Sequence, residues 1–191
     1  LRKTPYDPIR GVEPVSLLSR PALVLLVQPS VPVSNVKELI ALAKAKPGAL
    51  SYGSSGSGGI QHLATELFKS MAGVDFVHIP YKGAGPAITD PIGGIIPIMT
   101  PNITAQVPNL HQPGTVRIVA VNAPQRLKAA PEIPAAVESM PNMVVELFNG
   151  VFAPARTPKH VVDRVSQATR NALADPAFQK LLSQSGFEPV H

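Results

Sequence analysis

The chain has 191 residues and a formal net charge of +5, with 45% hydrophobic and 15% charged residues. This balance predicts one or two packed domains and argues against disorder. The basic residues are scattered singly, without a basic run or a series of stacking aromatics, so nucleic acid is not an expected partner. The chain contains no cysteine, which excludes disulfides, thiolate metal sites and cysteine nucleophiles.

The first quarter of the chain predicts two strands and a helix. Residues 12–18 favour a short strand. Residues 22–27, ALVLLV, form a continuous apolar run that is typical of a strand buried on both faces, as in a parallel sheet. A helix is predicted over residues 34–46, where Asn35 and Glu38 resemble a capping box.

A glycine- and serine-rich stretch between a strand and a helix is the most informative part of the sequence. After a strand ending near Tyr52, residues 53–59 contain four glycines and three serines. Apolar residues then recur at helical spacing up to a stop at Gly73; they are Leu63, Leu67, Phe68 and Met71. Such a loop offers backbone N–H groups, hydroxyls and a positive helix end to an anion. The alternative is a flexible turn before an ordinary helix.

The predicted ligand contacts from this stretch are Ser54, Ser55, Gly56, Ser57, Gly58, Gly59 and His62. The loop fits no common nucleotide or hydrolase template. It lacks the Gly-Lys-Ser/Thr of a Walker A site, the register of the dinucleotide fingerprint, and the G-x-S-x-G elbow. His62 lies one turn into the helix, where it either touches a ligand or packs on the helix surface.

A second glycine-rich loop follows the next predicted strand, residues 75–79. The predicted contacts there are Tyr81, Lys82, Gly83, Gly85 and Pro86. Tyr81 supplies a hydroxyl and Lys82 a positive charge, and a surface turn is the alternative. Two successive strand–loop–helix units favour a shared ligand site, because α/β sheets bind ligands at the carboxyl ends of their strands. Pro91 predicts a kink or an early end of the following helix.

Strands and helices continue to alternate in the rest of the chain. Residues 95–99 predict a strand that Pro97 places at an edge or bulge, and residues 116–121 predict a buried strand. Asn102, at a strand end, is either a ligand contact or an Asx-turn residue. A short helical turn is predicted at residues 135–140. The alternation indicates an α/β fold with a largely parallel sheet.

Two C-terminal helices are predicted, one over residues 159–174 and one starting at Pro176 and stopping at Gly186. Their apolar residues are expected to face inward; these are Val161, Val162, Val165, Ala168, Ala172, Leu173, Phe178, Leu181 and Leu182.

The sequence shows no recognisable catalytic or metal-binding pattern. The five histidines have no metal-ligand spacing, and no pair among the 12 carboxylates falls into one polar pocket. His78, within an apolar strand, is expected to be structural. A binding protein without chemistry, without cofactor and without metal is therefore favoured.

Three stretches together resemble one family, the solute receptors of tripartite tricarboxylate transporters, also called the Bug family. They are YGSSGSGGIQHLATELFKSMAGVDFVHIPYKGAGPAITD at residues 52–90, VQPSVPVSNVKELIALAKAKPGALSYGSSG at 27–56, and FAPARTPKHVVDRVSQATRNALADP at 152–176. The resemblance covers nearly the whole chain.

This resemblance implies a periplasmic receptor with the two-lobed, type II periplasmic-binding-protein fold, of the venus-flytrap kind. Residues 1–26 would be part of the first lobe and a crossover, residues 27–147 the second lobe, and residues 148–191 the return crossover and more of the first lobe. The two glycine-rich loops would face the ligand. Phe148 and Asn149 match a hinge-side stretch that often carries an aromatic residue facing the cleft.

The resemblance further implies that a small carboxylate is captured between the lobes and delivered to membrane permease subunits, with no chemistry done. Family members usually begin with about a hundred further residues, the size of a lobe, and continue beyond the position of His191. A fragment is therefore expected, with a possible fragment-driven dimer. The alternative function is a hydrolase or transferase that uses the Gly/Ser loop as an anion hole.

Overall fold

The computed structural model describes residues 5–102, 116–127 and 130–184. The chain divides into two compact units. Unit 1 comprises Leu1–Pro21 and Leu147–His191, and unit 2 comprises Ala22–Glu146. Unit 2 contains most of the buried apolar residues and both glycine-rich loops.

Unit 2 contains a five-stranded mixed sheet. Its strands are β2 (Leu23–Val27), β3 (Ser51–Ser54), β4 (Val77–Pro80), β5 (Ile98–Met99) and β6 (Arg117–Asn122). They are ordered β4-β3-β5-β2-β6 across the sheet. β3 is parallel to β4 and β5, whereas β2 is antiparallel to both β5 and β6. The predicted parallel setting of β2 is therefore wrong, although four of the five strands run in one direction.

The apolar run of β2 is explained by burial on both faces of the sheet. Leu25 and Val27 pack in the largest core cluster, which includes Leu39 and Phe68. Val24 and Leu26 alternate with them and belong to two other clusters. A strand that is covered on both faces has no solvent side on which a polar residue would be favoured, so its sequence does not alternate.

In the described part of unit 2, three helices and a short 3-10 turn accompany the sheet: α1 (Val36–Ala45), α2 (Ile60–Ala72), α3 (Ala84–Ile92) and the 3-10 helix Ala136–Glu138. The predicted cap of α1 is confirmed, because the Glu38 N–H donates to Oδ1 of Asn35 at 3.0 Å. Helix α2 ends at Gly73, whose φ of 62° is the left-handed conformation that glycine adopts freely. Pro91 lies in the last turn of α3, next to its final residue.

Helix α2 packs with its small side chains and Phe68, and its leucine stripe is exposed. Leu63, Leu67 and Met71, three of the apolar residues at helical spacing, are 39–47% exposed, whereas Phe68 is buried. The buried residues of α2 are Gln61, Ala64, Thr65, Phe68 and Ala72. Three of these five side chains are small, and small side chains let the helix approach the sheet closely, whereas the leucine stripe requires more space.

Strand β5 is short and central, which corrects the prediction of an edge strand. Pro97 precedes the two paired residues, so its missing N–H removes no ladder bond. The carbonyl of Pro97 instead accepts a hydrogen bond from the Gln28 N–H at 3.0 Å.

The described residues of unit 1 form an antiparallel strand pair and two helices. The elements are β1 (Val12–Ser19), β7 (Asn149–Pro154), α4 (Lys159–Ala174) and α5 (Pro176–Gln184). Both helices were predicted, and the predicted stop at Gly186 lies outside the described residues.

The apolar residues of the two unit 1 helices are less buried than predicted. Leu173 is buried, but the other inward predictions include side chains that are exposed in the structure; these are Val161, Val165, Ala168, Ala172, Phe178 and Leu181. Within the described residues, unit 1 provides too few packing partners to cover a full apolar face. No helix of the described chain is both long and apolar enough to cross a lipid bilayer.

The difference in burial between Leu39 of α1 and Leu63 of α2 gives a stability test. We expect Leu39→Ala to lower the free energy of unfolding by about 2–5 kcal/mol, because Leu39 is fully buried in the main core. The same substitution at Leu63, which is 47% exposed, is expected to cost less than about 1 kcal/mol. Urea unfolding of both variants measures the difference. Equal losses would contradict the assignment of the buried face of α2.

Candidate ligand-binding site

The two glycine-rich loops follow adjacent parallel strands and therefore lie at one edge of the unit 2 sheet. Residues 53–59 form the end of β3 and the loop after it, and residues 81–86 form the loop after β4 and the first turn of α3. β5 and β6 run in the same direction, so their carboxyl ends also reach this edge. Asn102, shortly after β5, forms an isolated bridge with Leu23 at the start of β2. This is the position at which α/β sheets bind ligands.

Backbone hydrogen bonds join the two loops. The Tyr81 N–H donates to the carbonyl of Ser54 at 2.8 Å, and the Gly83 N–H donates to the carbonyl of Ser55 at 3.2 Å. The ring of Tyr81 also covers Gly53, since a Cβ at that glycine would lie 3.3 Å from Cε2 of Tyr81. The loops thus form one continuous surface, as their sequence predicted for a shared site.

Side chains from the first turn of α2 reach back and accept hydrogen bonds from loop amides. Oε1 of Gln61 accepts from the Ser55 N–H at 2.8 Å. Nδ1 of His62 accepts from the Gly58 N–H at 3.0 Å. Two amides that the sequence assigned to a ligand are therefore occupied by the protein itself. Gln61 was missed by sequence reasoning, although its position two residues after the loop was the available signal.

Ser54 organises the beginning of the loop from inside. Its hydroxyl donates to the carbonyl of Gly56 at 3.2 Å and accepts from the Gly56 N–H at 3.3 Å. The same oxygen is hydrogen bonded to Nε2 of His78 at 2.7 Å. The Gly59 N–H donates to the carbonyl of Gly56 at 3.3 Å. Because Ser54 is fully buried, its hydroxyl fixes the loop and is not presented to solvent.

The donors that remain are at the tip of the loop and at the start of α2. Within the part of the chain that the structure describes, no partner is found for the Ser57 N–H or for the first N–H groups of α2, Ile60–His62. The hydroxyls of Ser55 and Ser57 are likewise without a partner there. Gly58 has a φ of 81°, a left-handed conformation that turns the tip and favours glycine. Ser57 is exposed at this tip.

Beneath the loop, three aromatic rings are stacked. The centroids of His62 and His78 are 4.2 Å apart, and those of Tyr52 and His78 are 4.8 Å apart. The Tyr52 hydroxyl donates to Oε1 of Glu66 at 2.7 Å, and Lys69 forms a 2.9 Å ion pair with the same oxygen. His78 was predicted to be structural, and in this stack it supports both Ser54 and His62.

Positive charge on both imidazoles of the stack, His62 and His78, is unfavourable. Burial lowers the pKa of His78, and charge on the adjacent His62 lowers it further. Two unit charges about 4 Å apart repel by roughly 1 kcal/mol in water and about 4 kcal/mol near a protein surface, which disfavours the charged form of His78 beside a charged His62. Burial, followed by the bond to Glu66, raises the pKa of Tyr52 and keeps its hydroxyl protonated. Burial acts to raise the pKa of Glu66, but hydrogen bonds from Lys69 and Tyr52 hold it below its ordinary value.

The second loop presents a tyrosine that is already hydrogen bonded. The Tyr81 hydroxyl donates to Oδ2 of Asp90 at 2.5 Å. Burial and this hydrogen bond raise the pKa of Tyr81 to about 12. The hydroxyl oxygen remains a possible acceptor, whereas its proton is directed at Asp90. Lys82, Gly85 and Pro86 are exposed, and the ammonium of Lys82 is compatible with an anion.

Asn102 carries a polar atom without a partner. Its Oδ1 is buried and has no hydrogen bond within the described residues. A buried acceptor of this kind costs free energy unless a donor or a water satisfies it. Of the two alternatives for Asn102, a ligand contact and an Asx turn, the open acceptor is compatible with the first.

The remaining two candidates, Phe148 and Asn149, belong to unit 1. Nδ2 of Asn149 donates to Oγ of Ser19 at 3.0 Å, linking β7 to β1. Phe148 is 58% exposed and lies against Phe152, with ring centroids 6.3 Å apart. Together with Pro14 and Leu17 these rings line a shallow apolar depression of unit 1.

The close contact between Ser54 and His78 bears on the hydrolase alternative. A serine hydroxyl 2.7 Å from an imidazole resembles a nucleophile and base. However, Ser54 has no exposed surface, and its oxygen is engaged with Gly56 on the loop interior. No group of three His, Asp or Glu residues in the described chain is arranged to hold a metal ion. The geometry therefore supports a structural pair.

Comparison with protein families decides the relationship. The model of the tripartite tricarboxylate transporter family receptor matches residues 1–191 of the chain. The chain belongs to this family. The family description is that of a transporter receptor, which agrees with the prediction of a binding protein, and the predicted resemblance is confirmed.

Solved structures of similar proteins agree with this assignment. One described as a periplasmic transporter is 37% identical, covers 99% of this chain and 63% of its own, and has a TM-score of 0.88. A protein from R. palustris solved with adipate is 32% identical over 98% of this chain and 63% of its own, also with a TM-score of 0.88. MatC from Rhodopseudomonas palustris, with bound malate, is 25% identical over 98% and 64%, with a TM-score of 0.87.

These likenesses confirm the predicted α/β periplasmic-binding-protein fold. The chain spans somewhat more than half the length of the curated relatives it matches, 56% of one and 57% of another.

The hydrogen bond from the Ser55 N–H to Oε1 of Gln61 gives a test of how the loop is held. We expect Gln61→Leu to lower the free energy of unfolding by about 1–3 kcal/mol, because the Ser55 N–H loses its acceptor in a partly buried position. Gln167→Leu, on the exposed surface of α4, is the control and should change stability by less than about 0.5 kcal/mol. Urea unfolding checks both variants. A Gln61→Leu variant as stable as the control would show that this hydrogen bond does not hold the loop.

Proposed function

We propose that the chain is the solute-binding part of an extracytoplasmic receptor that captures a small carboxylate and passes it to membrane permease subunits. The observation that carries the proposal is the joined pair of loops at one edge of the unit 2 sheet. Within the described residues, the Ser57 N–H, the first N–H groups of α2 and the hydroxyls of Ser55 and Ser57 have no partner, and Lys82 adds a positive charge. Backbone donors at a helix start are well suited to a carboxylate.

The ligand class is supported by the family and by two similar proteins whose structures were solved with a small acid. The R. palustris protein was solved with adipate and MatC with malate, and both compounds carry two carboxylates. The net charge of +5 favours the approach of an anion in the same direction. Adipate and malate are therefore suitable first probes for this chain.

Delivery and location follow from the same relationship. The family description names a receptor of a transporter, and one similar structure is described as a periplasmic transporter. We infer a periplasmic receptor whose partner is the permease of a tripartite transporter.

The candidate residues divide into two roles under this proposal. Direct contacts are assigned to exposed or partly exposed groups of unit 2: Ser55, Ser57, Gly59, Lys82, Gly83, Gly85, Pro86 and Asn102, with Tyr81 as an acceptor. Ser54, Gly56, Gly58 and His62 hold the loop in shape through their own hydrogen bonds. Phe148 and Asn149 of unit 1 remain predicted ligand contacts.

An acidic residue at the loop tip tests the site. We expect Ser57→Glu to weaken binding of malate or adipate at least about fivefold, because two like charges a few ångströms apart repel by roughly 1–4 kcal/mol. Ser70→Glu, an exposed position at the far end of α2, adds the same charge away from the loop and should leave affinity within about twofold. Calorimetric titration measures both. Unchanged affinity of Ser57→Glu for an acid that the parent chain binds would refute the assignment.

We also expect this chain to self-associate, because unit 1 exposes several large apolar side chains. Phe148 and Phe152 are 58% and 48% exposed, and Leu181 is 56% exposed. Burial of such side chains stabilises association by about 25 cal/mol per Å² of apolar surface. Light scattering over a range of concentrations should show a mass that rises above that of one chain. A constant single-chain mass at all concentrations would exclude it.

A further inference from the structure

The hydrogen bond between Gly58 and His62 depends on the protonation of the imidazole. Nδ1 of His62 accepts from the Gly58 N–H at 3.0 Å, which requires that Nδ1 carry no proton. Adding a proton converts the acceptor to a donor, and two donors then face each other. We propose that His62 is a proton-operated latch on the Gly/Ser loop, closed while its imidazole is neutral and open when it is protonated.

The groups packed around His62 can accept its charge without rearrangement. His78 of β4 and Tyr52 of β3 stack with the ring, and both are neutral partners. Glu66, on α2 itself, interacts electrostatically with His62 and is the available counter-charge. Lys69 is already paired with Glu66. The stack can therefore remain in place, and the loop is the part that must respond.

The loop has both the room and the conformational freedom to respond. Gly58 is in the left-handed region, its neighbour Ser57 is exposed, and neither is fixed by a second hydrogen bond from another element in the described chain. The capped Ser55 amide and the buried Ser54 hydroxyl hold the beginning of the loop independently of His62. Opening is thus confined to the tip.

The consequence for the solute rests on the proposed function. The Gly58 bond positions the neighbouring Ser57 N–H, which the proposed function assigns to a carboxylate. Release of the tip then lowers affinity as the pH falls through the titration range of imidazole, around pH 6.5 in unstructured peptides. An acid held at higher pH would be released more readily at lower pH.

Two substitutions separate the hydrogen bond from the ring. His62→Asn places an amide oxygen where Nδ1 lies and removes the titration, so its latch should stay closed at every pH. His62→Phe retains a stacking ring without an acceptor, so its latch should stay open. His160→Asn, at an exposed position on α4, removes a histidine away from the loop and serves as the control.

Amide hydrogen exchange of Gly58, measured by NMR between about pH 5 and 8 and corrected for the intrinsic exchange rate, tests the latch. In the parent chain and in His160→Asn, protection should fall about fivefold or more at low pH, the effect of losing one hydrogen bond. Its midpoint should match that of the His62 ring protons. Protection should be constant and high in His62→Asn, and constant and low in His62→Phe. The latch would be overturned if the protection of the Gly58 amide did not change as His62 titrates. It would also be overturned if the protection changed with the same midpoint in His62→Asn.

Adding malate to the same samples separates the two proposals. Malate that shifts the loop amides at about pH 8 and less at pH 5 in the parent chain, with a clearly smaller loss in His62→Asn, supports both, since protonation of malate itself affects the two chains equally. If neither malate nor adipate shifts any amide while Gly58 still follows His62, the latch stands and the proposed function fails. If malate binds and Gly58 protection does not follow His62, the latch fails and the proposed function stands.

Discussion

The Gly/Ser loop depends on hydrogen bonds from the helix that follows it. Gln61 and His62 turn back from the first turn of α2 and accept the N–H groups of Ser55 and Gly58. Ordering a loop rich in glycine costs much conformational entropy, which hydrogen bonds must offset. Here side chains of the neighbouring helix and the buried Ser54 hydroxyl fix its path. The loop is thereby fixed in advance, and within the described residues the Ser57 N–H at its tip has no partner.

This arrangement connects the core to the site through a short series of contacts. Tyr52, on the central strand β3, supports the stacked imidazoles, and the stack in turn supports the loop. Thr65 and Thr100 share a 2.8 Å hydrogen bond in the buried space between α2 and the end of β5. The strand ends that carry Asn102 and the loops are thus held by the same helix. Positioning by rigid elements is what a binding site for a small, simple anion requires, because such a ligand offers few contacts.

Much of the fold could be predicted from sequence because its signals are local. The apolar run of β2, the Asn35 cap and the stop at Gly73 each act within a few residues. The choice of the buried face of α2 depends instead on tertiary packing. Its sequence offers a leucine stripe and a stripe of small residues, and the sheet selects the second. The same limit applies to the site. That the loop was special could be inferred from its glycines, but which amides were already bonded to Gln61 and His62 depends on where the helix begins.

The most direct measurement of the central claim is an NMR map of the backbone amides during a titration with malate. If the loop is held by its helix and offers its remaining donors to a carboxylate, the largest shifts should fall on Ser57, Ile60 and the residues of the second loop near Gly83. The amides of Ser55 and Gly58 should remain protected from exchange throughout. Shifts that centre on the apolar depression of unit 1 around Phe152, with the loop amides unchanged, would contradict the account.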